Sequence, residues 1–509
     1  MTATPTRGEL LARLRQGRTW DVIVIGGGAS GLGASVDAAA RGYSTLLLER
    51  GDYACGTSSR STKLIHGGVR YLRQGDLALV RHALIERRRL LANAPHLVHA
   101  LPFVIPAASR WQQWFYGSGL KLYDLLAGAN NLTPSCLLGR QQTLAALPTL
   151  NGNRLAGGVQ YWDAQFDDAR LAIALMRTAS DLGATCLNYL SVDGLLSESG
   201  RVAGVSANDA ESGERFTLPA RVVINATGVY ADAVRRQENP AAPALLTPSQ
   251  GIHLVVDGSF LPGEAALMIP ETADGRVMFA IPWQGRVLLG TTDTPRTDLP
   301  EEPRPLAGEV DFLLQTVAGV LARPPRRGDI RSIFAGLRPL LHPESAAPGG
   351  TASLSREHAV LVSPGGLVTV AGGKWTTYRL MAEQVVDRAA EVGHLASVAC
   401  TTAGLPLHRA EAGEFDLPGG DRRLHPDLAL DEASVRHAIR YEAARTVDDI
   451  LARRSRALFL DAAAAQACIP EVLAILAEEL GLPPARQVQL AARAATVADA
   501  FLPDGGIVP

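Results

Sequence analysis

Residues 21–33, DVIVIGGGASGLG, pass from an apolar run, Val22 to Ile25, straight into glycine. The run reads as a buried strand, the glycines as a tight turn, and the residues after them as the opening of a helix. That helix runs to about residue 41 and ends at Arg41-Gly42, a basic residue followed by a C-terminal glycine. A second apolar strand, Ser44 to Leu48, closes at Glu49, completing a βαβ unit of about thirty residues. Gly26, Gly28 and Gly31 form G-x-G-x-x-G directly after the first strand. The first glycine allows the turn, the second lets the backbone approach a pyrophosphate, and the third lets helix and strand pack closely. The helix N-terminus then offers unpaired N–H groups to phosphates. Glu49 lies where a carboxylate accepts ribose hydroxyls, and its charge would repel a 2′-phosphate. A glycine pattern alone is a weak signal, but strand, helix, second strand and acid in order read as a dinucleotide site.

That unit does not separate a flavin dinucleotide from a nicotinamide one. Its continuation, Cys55 to Lys63, is dense in hydroxyl and backbone donors: Thr57, Ser58, Ser59 and Ser61, ending in Lys63. An extended flavin dinucleotide needs donors past the pyrophosphate; a Ser/Thr-rich surface loop is the plainer reading. Further on, Arg221 to Asn225 is another buried strand and ends in the turn Ala226-Thr227-Gly228. Leu367 to Ala371 is a third, followed by Gly372-Gly373 and a helical stretch from Lys374. Between them Gly251 to Asp257, Arg276 to Pro282 and Arg286 to Gly290 alternate in the manner of antiparallel strands. The nucleotide-binding core is therefore expected to be discontinuous. Residues 404–430, rich in Gly, Pro and charge, mark a linker, and from about 431 apolar residues recur at helical spacing.

At 509 residues the chain is long enough for two or three domains. A net charge of −2 gives no electrostatic case for nucleic acid. The five cysteines are scattered without a C-x-x-C pair, which argues against a disulfide framework or a zinc site and suits a reducing compartment; no metal is expected. No run approaches the roughly 18 apolar residues of a membrane span, and the first twenty residues lack the apolar centre of a signal peptide.

A set of blocks makes the reading more specific. Lys63 to Leu72 (KLIHGGVRYL), Asp168 to Leu171, Asn225 to Gly228, Gly290 to Asp293, Gly336 to Leu340 and Ala371 to Arg379 (AGGKWTTYR) follow one another over residues 20–385. In this order they resemble the flavin-dependent, quinone-linked glycerol-3-phosphate dehydrogenase family. The resemblance implies an α/β fold: a discontinuous Rossmann-like FAD domain of the glutathione-reductase type, an antiparallel-sheet substrate domain and a C-terminal helical cap. On this reading residues 21–105, 155–245 and 350–390 form the FAD domain, and 106–154 with 246–349 the substrate domain. Residues 391–509 form the cap, and 1–20 an extension outside the match.

The implied reaction is oxidation of sn-glycerol 3-phosphate to dihydroxyacetone phosphate, hydride going to FAD and electrons to a membrane quinone. The flavin carries the redox chemistry while the protein orients substrate and manages charge. A phosphate dianion calls for several donors, and the planar guanidinium suits it. The family match places Arg70, Tyr71, Arg338, Arg356 and Lys374 around the substrate; taken alone, each cation reads as a solvated surface charge. Arg70 and Lys374 follow the glycine pairs Gly67-Gly68 and Gly372-Gly373, where backbone turns tightly. His253 matches the family's substrate-site histidine and is the candidate general base, its ordinary pKa near 6.5 suiting proton transfer near neutrality. Arg338 is the alternative, polarising the hydroxyl. Lys374 opens a helix whose positive end is expected to face the flavin and stabilise its reduced ring. The expected cofactor contacts are Gly26, Gly28, Gly31, Glu49, Arg50, Thr57, Ser58, Ser59, Ser61, Lys63, His66, Thr227, Gly228, Gly373 and Thr376. For His66 a structural role in its glycine turn stands beside a flavin contact.

A quinone is lipid-soluble, so peripheral contact with the inner face of the cell membrane from the cytoplasm is expected. Arg110 to Tyr116 (RWQQWFY), continuing through Leu120 to Tyr123, mixes aromatics with cations as interfacial segments do. Equally, these aromatics read as substrate-domain core. The basic stretch Arg7 to Arg18 is a second membrane candidate. A homodimer is compatible with this picture. The alternatives are an oxidase passing electrons to O2 and a non-catalytic flavin-binding protein.

Overall fold

Trp20–Ile25, five apolar residues and Asp21, form the central strand of the first sheet, and the five apolar ones are buried. The strand pairs in parallel with Thr45–Leu48 on one side and with Arg215–Asn225 on the other. Thr185–Leu187 extends the sheet beyond the first neighbour and Val368–Gly372 beyond the second, both in parallel, with His358–Val362 antiparallel at the edge. Such runs need cover on both faces. Helices Ala29–Ala40, Asp168–Asp181 and Tyr378–Val392 cover one, through residues such as Leu32, Leu171 and Val385 against Val22, Val24 and Val368. The other face packs on the antiparallel pair Leu190–Glu198 and Arg201–Asp209. The computed structural model describes residues 5–69, 76–342, 358–420 and 422–508.

The N-terminal residues are no mere extension. Helix Arg7–Arg15, opened by a Thr6–Glu9 capping box, buries Leu11 and Leu14 in that second face. Each contributes about 1.5–3 kcal/mol of burial. Arg7 pairs with Asp209 and reaches the Asn188 carbonyl (2.7 Å), Arg15 pairs with Glu214 (2.7 Å), and beyond the helix Arg18 lies over Trp20.

The second sheet is built on long antiparallel pairs. Leu246–Asp257 lies between Ile330–Leu341 and Arg286–Gly290, and the latter pairs with Met278–Trp283. This sheet also takes strands from inside the segments expected to be purely cofactor domain. Val98–Ala107 pairs with Gly157–Phe166 over their whole length, and Leu64–Ile65 joins the far edge. The boundaries near 105 and 155 therefore shift. Val98–Ala107 finds its other neighbour in Ala266–Ile269, so its backbone bonds are satisfied in the second sheet and not the first.

Helix Arg110–Ala127 lies on this sheet with Leu120, Tyr123 and Ala127 inward. Trp111, Trp114 and Leu125 point outward, 77%, 66% and 76% exposed, with Phe115 and Leu122 beside them. The core reading of Trp111, Trp114 and Phe115 is thereby corrected. The C-terminal helices, among them Glu432–Tyr441, Ile469–Leu480 and Pro484–Asp499, share a core with the second sheet, joined by Phe334–Phe459 and Phe459–Phe501 contacts of 4.7 and 4.9 Å. The stretch expected as a linker is laid onto the protein, with Leu407, Leu428 and Leu430 buried. Among the described residues no helix is long and apolar enough to cross a membrane.

Candidate active site

The glycine turn has no room for side chains. Gly26 has φ +107°, and a Cβ there would stand 2.6 Å from the Ala226 carbonyl oxygen. At Gly31 a Cβ would fall well inside contact of the Gly26 carbonyl. Gly28 heads helix Ala29–Ala40 without a side-chain cap, and the Ala29 N–H donates to Ser58 Oγ at 2.9 Å. Glu49 is buried at the end of the neighbouring strand and accepts the Gly27 and Gly51 N–H groups (2.6 and 2.8 Å). Burial raises its pKa, against those two bonds. A backbone cradle, an open helix N-terminus and a fixed carboxylate are the parts a dinucleotide requires.

Hydrogen bonds and ring contacts tie several of the other expected cofactor residues to neighbouring segments. Thr57 Oγ1 donates to the Leu337 carbonyl (2.5 Å), and the Ser58 carbonyl accepts the Trp375 indole N–H (2.8 Å). The Thr376 hydroxyl ties both backbone groups of His66 (3.2 and 3.3 Å). Thr227 bonds Asn225 within the turn before Gly228, while Arg50 stacks over Tyr230 at 4.1 Å. Gly373, at φ +82°, passes so close to the Met381 sulfur that a Cβ would overlap it. Lys374 follows, half-buried, and a single 3-10 turn, Trp375–Thr377, leads into helix Tyr378–Val392. Lys63 departs from expectation. Its ammonium is wholly buried, donating to Asp168 (2.6 Å) and the Ser59 carbonyl (2.7 Å) among Trp283, Phe334 and Phe459. Burial pushes its pKa down to about 7 against the pull of Asp168. That side chain braces residues 59–63, as does Ser61, whose N–H and hydroxyl both bond Asp168 (3.0 and 2.7 Å).

Beside this lies a cavity of about 110 Å³, walled by Thr62, His66, Asp163, Arg276, Thr292 and Arg338 among others. One water needs about 10–15 Å³ on such a measure, so a small polar molecule fits. Arg338 is fixed by the Gln250 carbonyl (3.3 Å), Asp293 (3.2 Å) and Thr291 Oγ1 (2.9 Å). It has that space because Gly251 lies opposite, where any Cβ would strike the guanidinium. His253 is buried behind Thr62, its Nε2 3.0 Å from Thr62 Oγ1 and its ring stacked on Phe334 at 4.8 Å. Gly290 passes under the imidazole, and a Cβ there would overlap it. Burial first, then the cations Lys63 and Arg338, hold the His253 pKa well below its ordinary value. The imidazole is thus neutral at pH 7, with Thr62 between it and the cavity. Arg70, Tyr71 and Arg356 lie outside the described residues.

Two charged residues of the cavity wall, Asp163 and Arg276, are not among the candidates read from the sequence. Asp163 is buried and accepts from Arg87 (2.6 Å), the Tyr123 hydroxyl (2.8 Å) and the Gly67 N–H (3.3 Å); burial raises its pKa against those partners. Arg276 is gripped by Asp274 through Nε (2.7 Å) and Nη2, while its Nη1 is buried without a hydrogen-bond partner. The only local signal was Asp274-Gly275-Arg276, a turn that returns an arginine beside its own carboxylate.

The FAD dependent oxidoreductase family matches residues 21–383, and the C-terminal domain of alpha-glycerophosphate oxidase matches residues 368–487. A probable mitochondrial glycerol-3-phosphate dehydrogenase of Caenorhabditis elegans is 38% identical over 98% of this chain and 76% of its own length. The glycerol-3-phosphate dehydrogenase of Bacillus halodurans, solved in complex with FAD, is 28% identical and superposes with a TM-score of 0.78 over 98% of both chains. The L-alpha-glycerophosphate oxidase of Mycoplasma pneumoniae, 18% identical over 76% of this chain and 98% of its own, shares the fold at a TM-score of 0.58. With the cradle at Gly26–Gly31 shaped for its pyrophosphate, FAD is the cofactor, and the chain belongs to the FAD-dependent glycerol-3-phosphate dehydrogenase family.

Proposed function

We propose that the protein oxidises sn-glycerol 3-phosphate to dihydroxyacetone phosphate and passes the electrons to a membrane quinone. The observation that carries this reading is the pairing, on one small cavity, of two carboxylate-oriented guanidiniums with a neutral histidine one hydrogen bond away. Arg338 and Arg276 grip the phosphate, each presenting a fork whose orientation is fixed before the substrate arrives. Arg70, Tyr71, Arg356 and Lys374 join them on the strength of the family likeness. FAD, when bound, accepts the hydride from carbon. The neutral His253 takes a proton at Nε2 from Thr62 Oγ1, which receives the substrate's hydroxyl proton in turn. Arg338 holds the alkoxide charge as that proton leaves.

Anaerobic mixing of the purified holoprotein with glycerol 3-phosphate tests the substrate. Rapid bleaching of the flavin band, absent with glycerol, supports the reading; an unbleached flavin overturns it and leaves a flavin-binding protein. The acceptor rests on the Arg110–Ala127 helix. Its exposed Trp111, Trp114, Phe115, Leu122 and Leu125, with Arg110 and Lys121 on the same helix, suit the interface of a bilayer. The membrane is the inner face of the cell membrane. Flotation with anionic liposomes and reduction of a short-chain quinone are expected. Hydrogen peroxide formed at the rate of substrate oxidation, with no quinone reduction, identifies an oxidase instead.

A further inference from the structure

Three arginines of one short run, Arg453-Arg454-Ser455-Arg456, leave the C-terminal helical region and enter the cofactor domain. Arg454 forks onto Asp52, Nη1 to Oδ2 at 2.6 Å and Nη2 to Oδ1 at 2.8 Å, and Arg453 Nε donates to the same carboxylate. Arg456, its backbone at φ +64°, turns the other way and donates through Nη2 to the Ser59 carbonyl (2.9 Å) and Asp168 Oδ1 (3.1 Å). Lys63 holds that same carbonyl and the other oxygen of Asp168. All of these groups are buried.

What they enclose is the segment from Asp52 to Lys63, pinned at both ends by charge. Between the pins, Ala54 N–H bonds the Gly27 carbonyl (2.9 Å) and Ser58 Oγ takes the Ala29 N–H at the mouth of the nucleotide helix. Burial works against the Asp52 carboxylate, yet Arg454 and Arg453 outweigh it and hold its pKa at about 2. Replacing a buried ionic cluster with apolar residues of like size often leaves stability unchanged, so stability alone is a poor account of this one. Fixing one arrangement of backbone is the better account, and the backbone it fixes faces the pyrophosphate turn.

We propose that the C-terminal helical domain is part of the FAD site: Arg453, Arg454 and Arg456 are positioning residues that hold residues 52–63 in the shape that receives the cofactor. None of the three lines the cavity beside the nucleotide turn. The consequence is that cofactor affinity depends on a region outside the nucleotide-binding fold.

The test uses the full chain, stripped of FAD and reconstituted, with the dissociation constant read from flavin fluorescence and the melting midpoint from apo and holo samples. For Arg456→Met and Arg454→Met the dissociation constant is expected to rise about tenfold or more, the size of effect that supporting residues exert on the groups they orient. The gain in melting midpoint on adding FAD should shrink, and Arg456→Lys should recover part of the loss. Apo and holo midpoints falling together, with FAD affinity within twofold of the parent, would overturn the proposal. Should the methionine variants not fold, Arg454→Lys keeps the charge but loses the fork. Hydrogen exchange of residues 52–63 in that apoprotein must then quicken while the first sheet stays protected; unchanged exchange and affinity would likewise overturn it.

Discussion

The nucleotide turn and the substrate cavity sit side by side but are assembled differently. The turn takes its glycines and its carboxylate from residues 20–49, with Ala226 closing on it, and its tightest fit is backbone against backbone: Gly31 on the Gly26 carbonyl, Gly26 on the Ala226 carbonyl. The cavity gathers Thr62, Asp163, Arg276, Thr292 and Arg338 from segments spread over more than 270 residues, and its fit is side chain against side chain. Backbone cannot swing aside, whereas a ring or guanidinium can move at a cost. The turn should therefore fail outright when disturbed, and the cavity by degrees.

Gly31→Ala puts this to its hardest test. The added carbon meets the Gly26 carbonyl on one side with Ala226 behind it, and neither can retreat without parting two parallel strands. Overpacking of this kind costs about 1–3 kcal/mol or more, concentrated where the pyrophosphate binds. The variant should purify without colour, with less than about a tenth of the parent's flavin per chain. Normal flavin content would break the comparison at its stronger half.

Gly290→Ala is the matching insult to the cavity. Here the new carbon meets the His253 ring, which can tilt only by giving up its stack on Phe334 and its bond to Thr62. A misplacement of about 1 Å near the reacting groups costs on the order of 100-fold in rate. kcat/KM should fall by about that factor while the protein stays yellow. Loss of flavin as well would mean that the two sites are mechanically one.

That contrast also explains what could be read from the residues alone. The first βαβ unit was legible because each of its requirements is local: an apolar run of strand length, glycines at fixed spacing, an acid at the next strand end. The strands Val98–Ala107 and Gly157–Phe166 lie in segments expected to belong to the cofactor domain, because a strand's own pattern does not name its neighbour, and theirs is each other. His253 and Arg338 came from family likeness, and geometry adds why glycines stand at 251 and 290. Lys63 looked like a donor in a polar run; only the fold brings Asp168 and three aromatic rings around it. Asp163 carried no signal, since its partners Arg87 and Tyr123 lie far along the chain, and Arg276 carried only the nearby Asp274, which does not say what cavity the pair faces.

Arg276→Lys is expected to have a smaller effect than either glycine change. A lysine keeps the charge but not the planar fork that Asp274 orients, so it grips a phosphate as a point. KM for glycerol 3-phosphate should rise about tenfold with kcat little altered, the mark of binding lost equally from ground and transition state. Equal affinity in the variant would remove Arg276 from the phosphate site and leave Arg338 as its described anchor.

The smallest expected effect separates the two sites by proton linkage. His253 titrates in the native protein well below its ordinary value, so as pH falls through about 6.5 the unfolded chain takes up a proton that the folded one refuses. Stability therefore falls with acid, by about 1.4 kcal/mol per pH unit at most, until the native pKa is reached. Glu49 behaves oppositely: burial raises its native pKa, so the folded apoprotein binds the extra proton, and its share of stability declines as pH rises from 4.5 through the raised value. Over the acid range the two slopes oppose each other in the parent protein. Substituting one group at a time should expose the other: His253→Gln makes the apoprotein lose less stability below pH 6.5, and Glu49→Gln makes it lose more. Urea unfolding of the FAD-free chain from pH 4 to pH 8 measures both, and parallel curves for parent and His253→Gln would show that the imidazole is not held neutral by its burial behind Thr62.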